Sequence, residues 1–408
     1  MASYKKIQDI TDLDTRLRVV DRLLKLRAQL ADEIPEKTAT ETLLIATWNI
    51  REFGDNRLEE SLYYIAEIID HFDIVVIQEI NSKKLDGFKS VMKILGDNWS
   101  YIISDGVKGT DGGSEAMAFV YNKNKVQFTH LAGEIVLQNS KKLAGSIVEG
   151  KVLVDGVLVD GKVQSKVQFA RTPFMVSLMA NWFSFNICTV HIYYGSEKNE
   201  RGIVERRKKE IETISSVLLE RQKEEDVSYI LLGDFNIPDT NGEYFNALSK
   251  KRGFFVPEEI KKHPTDLGQV SHYDQIAFKL KLEDEMVLYK DKQQRAGAFN
   301  FTKSVFRDSD DVSDYDIYIN HYLDSYLGEL AETNAKLKAK GKAENEDTEE
   351  GRRAFFRGWR TYQMSDHLPL WVELKIDFSD QFLKNRGEEA EELKKKAAEE
   401  NPGVSDAE

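Results

Sequence analysis

The chain of 408 residues reads as an α/β protein. Short, wholly apolar runs recur along it, such as Tyr229-Ile230-Leu231-Leu232, which suit strands buried on both faces. Between several of these runs stand segments with apolar residues at helical spacing. The runs also stop abruptly at polar residues, glycine or proline rather than fading into loops. An apolar content of 41% supports a substantial core, and the length suits one large domain with insertions.

Residues 11–31 read as an amphipathic helix with Leu13, Leu17, Val20 and Leu24 on one face, ended by Pro35 and the polar residues 37–41. It is expected to pack outside the catalytic core, the alternative being a dimer-forming helix. Residues 43–48 form a buried strand ending at Asn49. Leu58, Leu62, Ile65, Ile69 and Phe72 then have helical spacing, and residues 73–77 form a second buried strand ending at Gln78-Glu79. Such a strand–helix–strand unit places Asn49 and Glu79 at strand ends. Residues 116–121 form a strand just after Glu115, followed by another around 125–136. Apolar runs closed by Asp155-Gly156 and Asp160-Gly161 suggest a hairpin excursion over 140–168. Strands at 174–179 and 183–190 follow, the second delivering His191, then a charged helix over 201–225 with Ile203, Ile211, Ile214, Val217 and Leu218 inward.

The run at 229–232 stops at Gly233-Asp234-Phe235-Asn236, and Pro238 forbids its continuation. In an extended chain, residues i and i+2 point the same way, so Asp234 and Asn236 would face one site. A strand end capped by an Asx-turn is the plainer alternative. A helical turn at 244–248 and a strand over 271–278 come next. Residues 283–360 read as an insertion, part ordered and part flexible, with a helix around 317–340 and a basic, aromatic run from Arg352 to Arg360. The core resumes at Ser365-Asp366-His367 and a strand over 368–374, and a charged tail starts near Asp377. The domain reading is therefore 1–41, a catalytic domain over 42–376, and a tail over 377–408.

A net charge of −13 argues against non-specific adhesion to nucleic acid or an anionic membrane, but a local basic groove or bound metal can reverse the field at a site. The one cysteine, Cys188, lies within an apolar strand and reads as a buried structural thiol. No stretch approaches the ~20 apolar residues of a membrane span. With no signal-like run after Met1, the expectation is a cytoplasmic protein without membrane attachment.

The strand ends and their neighbours supply Asn49, Glu79, Glu115, His191, Asp234, Asn236, Asp274, Asp366 and His367. Each alone could be a cap or a rim residue. Together they repeat a pattern of apolar strands ending in groups that bind hard cations or move protons. Carboxylates with two histidines, and no Cys/His cluster, favour Mg2+, or Mn2+, over zinc. Phosphodiester hydrolysis suits such a set, because it needs charge neutralised on phosphate and a water oriented for attack.

Thr47-Trp48-Asn49, Gln78-Glu79, Gly233-Asp234-Phe235-Asn236, Tyr273-Asp274-Gln275-Ile276 and Ser365-Asp366-His367-Leu368-Pro369 resemble the ordered motifs of the endonuclease/exonuclease/phosphatase superfamily. The resemblance covers roughly 42–282 and 361–376. Glu115 with its following strand, Arg171-Thr172-Pro173 and Val190-His191 resemble the deoxyribonuclease I-like branch in particular. Gln275, where the family usually has arginine, is a departure that removes a fixed positive charge. The resemblance implies a four-layer α/β sandwich of two mainly antiparallel sheets flanked by helices. It also implies Glu79, Asn49 and Asp366 around a magnesium ion, Glu115 orienting His191, and Asp274 orienting His367. Asp234, held by Asn236, would orient or deprotonate the attacking water, with His367 the other candidate base, and His191 would serve the leaving oxygen.

Substrate contacts are expected from Arg171, Asn49 and Arg360, by phosphate contacts that carry no sequence information. The basic run ending at Arg360 has a second reading, a surface helix paired with the acidic insertion. The functional expectation is a metal-dependent nuclease cutting DNA, or RNA. The alternatives are a phosphoesterase acting on a phospholipid head group or phosphoinositide, and a degenerate family member used as a binding scaffold.

Overall fold

The computed structural model describes residues 2–108, 114–138, 143–154, 157–195, 200–225, 227–249, 253–281, 295–310 and 315–400. In chain order these form α1 (Leu13–Glu33), β1 (Thr42–Phe53), α2 (Glu59–Asp70), β2 (Ile74–Asn81), α3 (Asp86–Leu95), β3 (Trp99–Ile103), β4 (Val107–Lys108) and β5 (Ser114–Asn122). Next come β6 (Gln127–Glu134), β7 (Leu143–Val154), β8 (Val157–Val167), β9 (Phe174–Ala180), β10 (Phe183–His191), α4 (Glu200–Gln222), β11 (Ser228–Asp234) and α5 (Glu243–Ser249). The remainder is β12 (Asp274–Lys279), β13 (Ala296–Ala298), α6 (Asp316–Ala339), α7 (Glu349–Gln363), β14 (Leu370–Lys375) and α8 (Ser379–Glu400).

Two sheets carry the fold. One has seven strands in the order β13-β14-β1-β2-β5-β3, with β4 also on β5; the other has five in the order β12-β11-β10-β9-β6. Only β1–β2 and β10–β11 pair in parallel among the described strands, and helices α2 and α4 make those two crossovers. The alternation of β1 shows how the layers form. Leu43 and Ile45 join a core shared with Val176, Ile187 and Leu231 of the second sheet. Leu44, Ala46 and Trp48 face the opposite way, into a core with Ile65 and Ile69 of α2 and Leu23 and Leu26 of α1. On the far side, Ile211, Ile214 and Leu218 of α4 cover the second sheet. The result is the four-layer sandwich of two mainly antiparallel sheets.

Both parallel pairs deliver polar side chains to one end of the sandwich. Asn49 stands opposite Gln78 beside Glu79, and His191 stands opposite Asp234, which is itself opposite Asp274. Beneath this end, Gln78 Nε2 donates to Thr189 Oγ1 at 2.9 Å and to Thr47 Oγ1 at 3.1 Å, bridging the two sheets.

Three expectations are corrected. Helix α1 packs inward through Val19, Leu23, Leu26 and Leu30, while Leu13, Leu17, Val20 and Leu24 are exposed by 64, 68, 40 and 63%. The helix carries two apolar stripes, and only the one facing α2 meets the sheet. Asp160-Gly161 does not turn the chain but lies within β8, paired with Lys151 and Gly150 of β7. Asp155-Gly156 lies outside the described residues. Thirdly, the arginines of the basic run face acids of the insertion: Arg352 meets Asp347, Arg353 meets Glu349, and Arg357 and Arg360 meet Asp308. Parts of the insertion reading (283–294 and 311–314) and the last residues of the tail (401–408) also lie outside the described residues. The described part of the insertion is tied to α1, where Arg22 Nη2 lies 2.8 Å from Asp310 Oδ1 and Tyr315 donates to Asp310 at 3.1 Å. No helix among the described residues is long and apolar enough to cross a membrane.

Candidate active site

The bend that follows β11 sets the geometry of the site. Gly233 has φ +127°, and a Cβ there would stand 2.2 Å from the Val190 carbonyl oxygen, so only glycine lets β11 approach β10 so closely. Asp234 then projects from the strand end, 2% exposed. Asn236, at φ +53°, leaves the extended conformation, so it does not share a face with Asp234. Its main-chain N–H donates to Asp234 Oδ1 at 2.8 Å, and its side-chain amide donates to the Ile192 carbonyl at 2.8 Å. Asn236 therefore holds Asp234 through the backbone and holds the strand carrying His191 through the side chain.

Asp234 Oδ2 is the meeting point of the two sheets. Asn49 Nδ2 donates to it at 3.0 Å, His191 Nε2 lies 3.6 Å away and His367 Nε2 3.9 Å away. Each imidazole has a carboxylate behind it. Glu115 Oε2 lies 3.1 Å from His191 Nδ1, and Asp274 Oδ2 lies 2.7 Å from His367 Nδ1. Arg171 grips Glu115 with two contacts, Nε–Oε2 at 2.5 Å and Nη2–Oε1 at 3.0 Å. Tyr273 lays its ring against His367, centroids 5.6 Å apart.

These contacts shift the protonation equilibria. Burial and then Arg171 oppose a charge on His191, but Glu115, Asp234 and Glu79 outweigh them and raise its pKa. Burial likewise opposes a charged His367, and Asp274 with Asp234 overcomes it, lifting the pKa well above the ordinary range. Burial pushes the Glu115 carboxyl up, yet His191 and Arg171 hold it at about 2. Both imidazoles are thus favoured as cations between carboxylates.

Glu79 sits at φ +61° beside a register shift between β1 and β2, a strained backbone that aims its carboxylate at Asn49. Asn49 Nδ2 donates to Glu79 Oε1 at 2.9 Å, and the Glu52 N–H donates to Oε2 at 2.9 Å. With both amide hydrogens so directed, Asn49 Oδ1 is buried and without a hydrogen-bond partner. An unpartnered amide oxygen beside a carboxylate is the donor chemistry of a hard cation such as Mg2+. Asp234, Asp274 and His367 also converge, with ligand-type atoms within 4.8 Å of one another. That set is already paired internally through the His367–Asp274 contact, so the Asn49–Glu79 pair fits a cation better.

Two further residues proposed from sequence are Asp366 and Arg360. Asp366 lies in a bend between buried Ser365 and His367, 43% exposed and 3.6 Å from Arg51 Nη1, and its charge is among those that raise the His367 pKa. Arg360 is buried in α7, where Nη1 donates to the Phe306 carbonyl at 2.9 Å and to Asp308 at 3.0 Å within the insertion. Sequence reasoning missed three supports. Ser365 Oγ donates to the Asn49 carbonyl at 2.6 Å, tying the last motif to the first. Arg207 of α4 donates to the Asn236 carbonyl at 2.9 Å and clamps that bend, although its helix reads as merely charged. Arg51 joins the rim, stacked 4.0 Å from the Tyr362 ring centroid and donating to Thr361 Oγ1 at 2.6 Å. Its position two residues after Asn49, on the same strand, was the available signal.

The family model described as the Endonuclease/Exonuclease/phosphatase family matches residues 46–302. Deoxyribonuclease-1 of Rattus norvegicus is 35% identical over 91 residues, which are 21% of this chain and 32% of that protein. The chain thus spans about a third of the length of that curated relative. Among solved structures, an endonuclease/exonuclease/phosphatase family protein from Bacteroides thetaiotaomicron superposes with a TM-score of 0.45 at 14% identity, covering 84% of this chain and 98% of that one. D. rerio TDP2 complexed with single strand DNA product gives 0.45 at 13% identity, covering 81% and 98%. Because the family match spans well over half of its residues, from 46 to 302, the chain belongs to the endonuclease/exonuclease/phosphatase family, a group of hydrolases acting on phosphodiesters or phosphate esters.

Proposed function

We propose that this chain is a divalent-metal-dependent phosphodiesterase that hydrolyses nucleic acid, DNA or RNA, by in-line attack of water. The observation that carries the reading is Asp234 Oδ2 set between two imidazoles, each backed by its own carboxylate. The similarity to deoxyribonuclease-1 supports nucleic acid as the substrate class.

Asn49 Oδ1 and the Glu79 carboxylate would hold the cation. When bound, Mg2+ neutralises charge on a phosphate oxygen and so eases attack by a neutral nucleophile. Asp234 orients the water and accepts its proton as the new O–P bond forms; the Asn49 amide and the Asn236 N–H fix the carboxylate for that task. The bond from phosphorus to the leaving oxygen breaks, and His191, kept cationic by Glu115, delivers a proton there. His367, charged by Asp274, donates a hydrogen bond to a phosphate oxygen. Arg171 keeps Glu115 ionised and in place, and adds positive potential at the rim.

The test is a substrate panel with magnesium: supercoiled plasmid, single-stranded DNA, RNA, sphingomyelin vesicles and a sugar phosphate. Cleavage of DNA or RNA that EDTA abolishes supports the reading. Turnover of the lipid or the sugar phosphate alone, with every nucleic acid intact, overturns it.

A further inference from the structure

The exposed stripe of α1 points to a partner. Leu13, Leu17, Val20 and Leu24 are spaced by four, three and four residues and stand 64, 68, 40 and 63% exposed. That spacing is the 3.5-residue repeat of a two-stranded coiled-coil seam. A contiguous aliphatic stripe left in water marks an interaction surface rather than ordinary scatter of apolar residues. The stripe lies away from the one that packs on the sheet, so covering it needs no rearrangement of the core.

We propose that this stripe is a homodimer interface, with α1 of a second copy lying parallel and in register. The flanking charges select both the occupant and its direction. Arg16 lies on one flank of the seam, its guanidinium held by the Ile10 and Gln8 carbonyls. Asp14 and Asp21 lie on the other flank, where Asp21 Oδ2 also meets Lys25 Nζ at 2.8 Å and Arg22 Nη1 at 2.5 Å and keeps Oδ1 for a partner. In a parallel pair one flank meets the opposite flank of the partner, so Arg16 faces the second copy's acid at position 21, five residues on, twice by symmetry. An antiparallel pair sets the acidic flank against itself and arginine against arginine. Leu17 and Leu24 then alternate with Leu13 and Val20 in the seam. A seam this short does not hold two free helices together, so a dimer in the micromolar range is expected, supported because α1 is already ordered on its domain.

Sedimentation velocity of the full chain across the micromolar range tests this. The expected result is a monomer–dimer equilibrium that the double variant Leu17→Glu, Leu24→Glu shifts wholly to monomer, with unchanged circular dichroism and unchanged hydrolysis of whichever substrate the wild type turns over. Direction is read separately with Val20→Cys, which crosslinks to itself on mild oxidation only in the parallel register. A wild type monomeric throughout, a double variant that dimerises like wild type, or Val20→Cys dimers that resist crosslinking would each overturn the proposal. The catalytic reading survives all three outcomes.

Discussion

Asn49 and Asp234 come from different sheets, yet Asn49 Nδ2 lies 3.0 Å from Asp234 Oδ2. The same amide nitrogen also reaches Glu79 Oε1 at 2.9 Å. One side chain therefore joins the candidate cation pair to the carboxylate proposed to seat the water. Replacing it by alanine removes the candidate ligand oxygen and the amide that both carboxylates accept from. Asn49→Ala is expected to weaken magnesium binding by about 10- to 100-fold. Calorimetric titration with magnesium checks this, and unchanged affinity would remove Asn49 from the cation site.

Gly233 is a backbone requirement. A Cβ at this position meets the Val190 carbonyl oxygen at 2.2 Å, and φ is +127°. Since β10 is central in its sheet, the neighbour cannot yield. Gly233→Ala is expected to destabilise the fold by more than about 2 kcal/mol, combining strained backbone and overpacking. Urea unfolding measures it; a variant as stable as wild type would show that β10 and β11 can separate without cost.

Glu115 links stability to pH. Its carboxyl is held at about 2 by His191 and Arg171, below an unfolded value near 4.3. A depressed folded pKa means the ionised group favours the folded state. That contribution is full above the unfolded value and disappears as pH falls through that value towards the folded one. Wild type and Glu115→Gln should therefore differ in urea midpoint at neutral pH and converge as the pH approaches about 2. A constant gap would mean that Glu115 acts through packing alone.

Arg360 separates a structural cation from a substrate contact. Its Nη1 serves the Phe306 carbonyl and Asp308 within the insertion. Arg360→Met should cost about 1–3 kcal/mol of stability by leaving that carbonyl unmet. The KM of the folded enzyme for DNA should stay as it was. A raised KM with unchanged stability would restore Arg360 to the substrate surface.

What could be read from the chain divides along physical lines. Fully buried strands announce themselves as short apolar runs with sharp ends, so β1, β2, β10 and β11 and the polar groups at their tips were legible. Positions that depend on which of two faces turns inward were not. Helix α1 has two apolar stripes, and periodicity cannot say which of Leu17 or Leu23 meets the sheet. Asp160-Gly161 carries a turn signature, but register with β7 keeps it in a strand. The left-handed backbone at Glu79 and Asn236 arises from bends that no local pattern announces. Arg360 reads as a free basic residue in the sequence, and its partners, the Phe306 carbonyl and Asp308, are more than 50 positions away along the chain. Arg207 acts across 29 positions, from α4 to the Asn236 carbonyl, a distance over which a charged helix offers no clue.

The central claim is that Asp234 seats the attacking water between two cationic imidazoles. Its most direct test is the single-turnover rate of DNA cleavage in magnesium for wild type and Asp234→Asn, an isosteric change that keeps one acceptor oxygen but removes the base. The account predicts a loss of roughly 1,000-fold or more in rate with substrate affinity nearly unchanged, as expected when a proton acceptor is removed from a concerted set. A variant that cleaves within about tenfold of wild type would contradict it, because no single proton-transfer group contributing the usual hundredfold or more could then be Asp234.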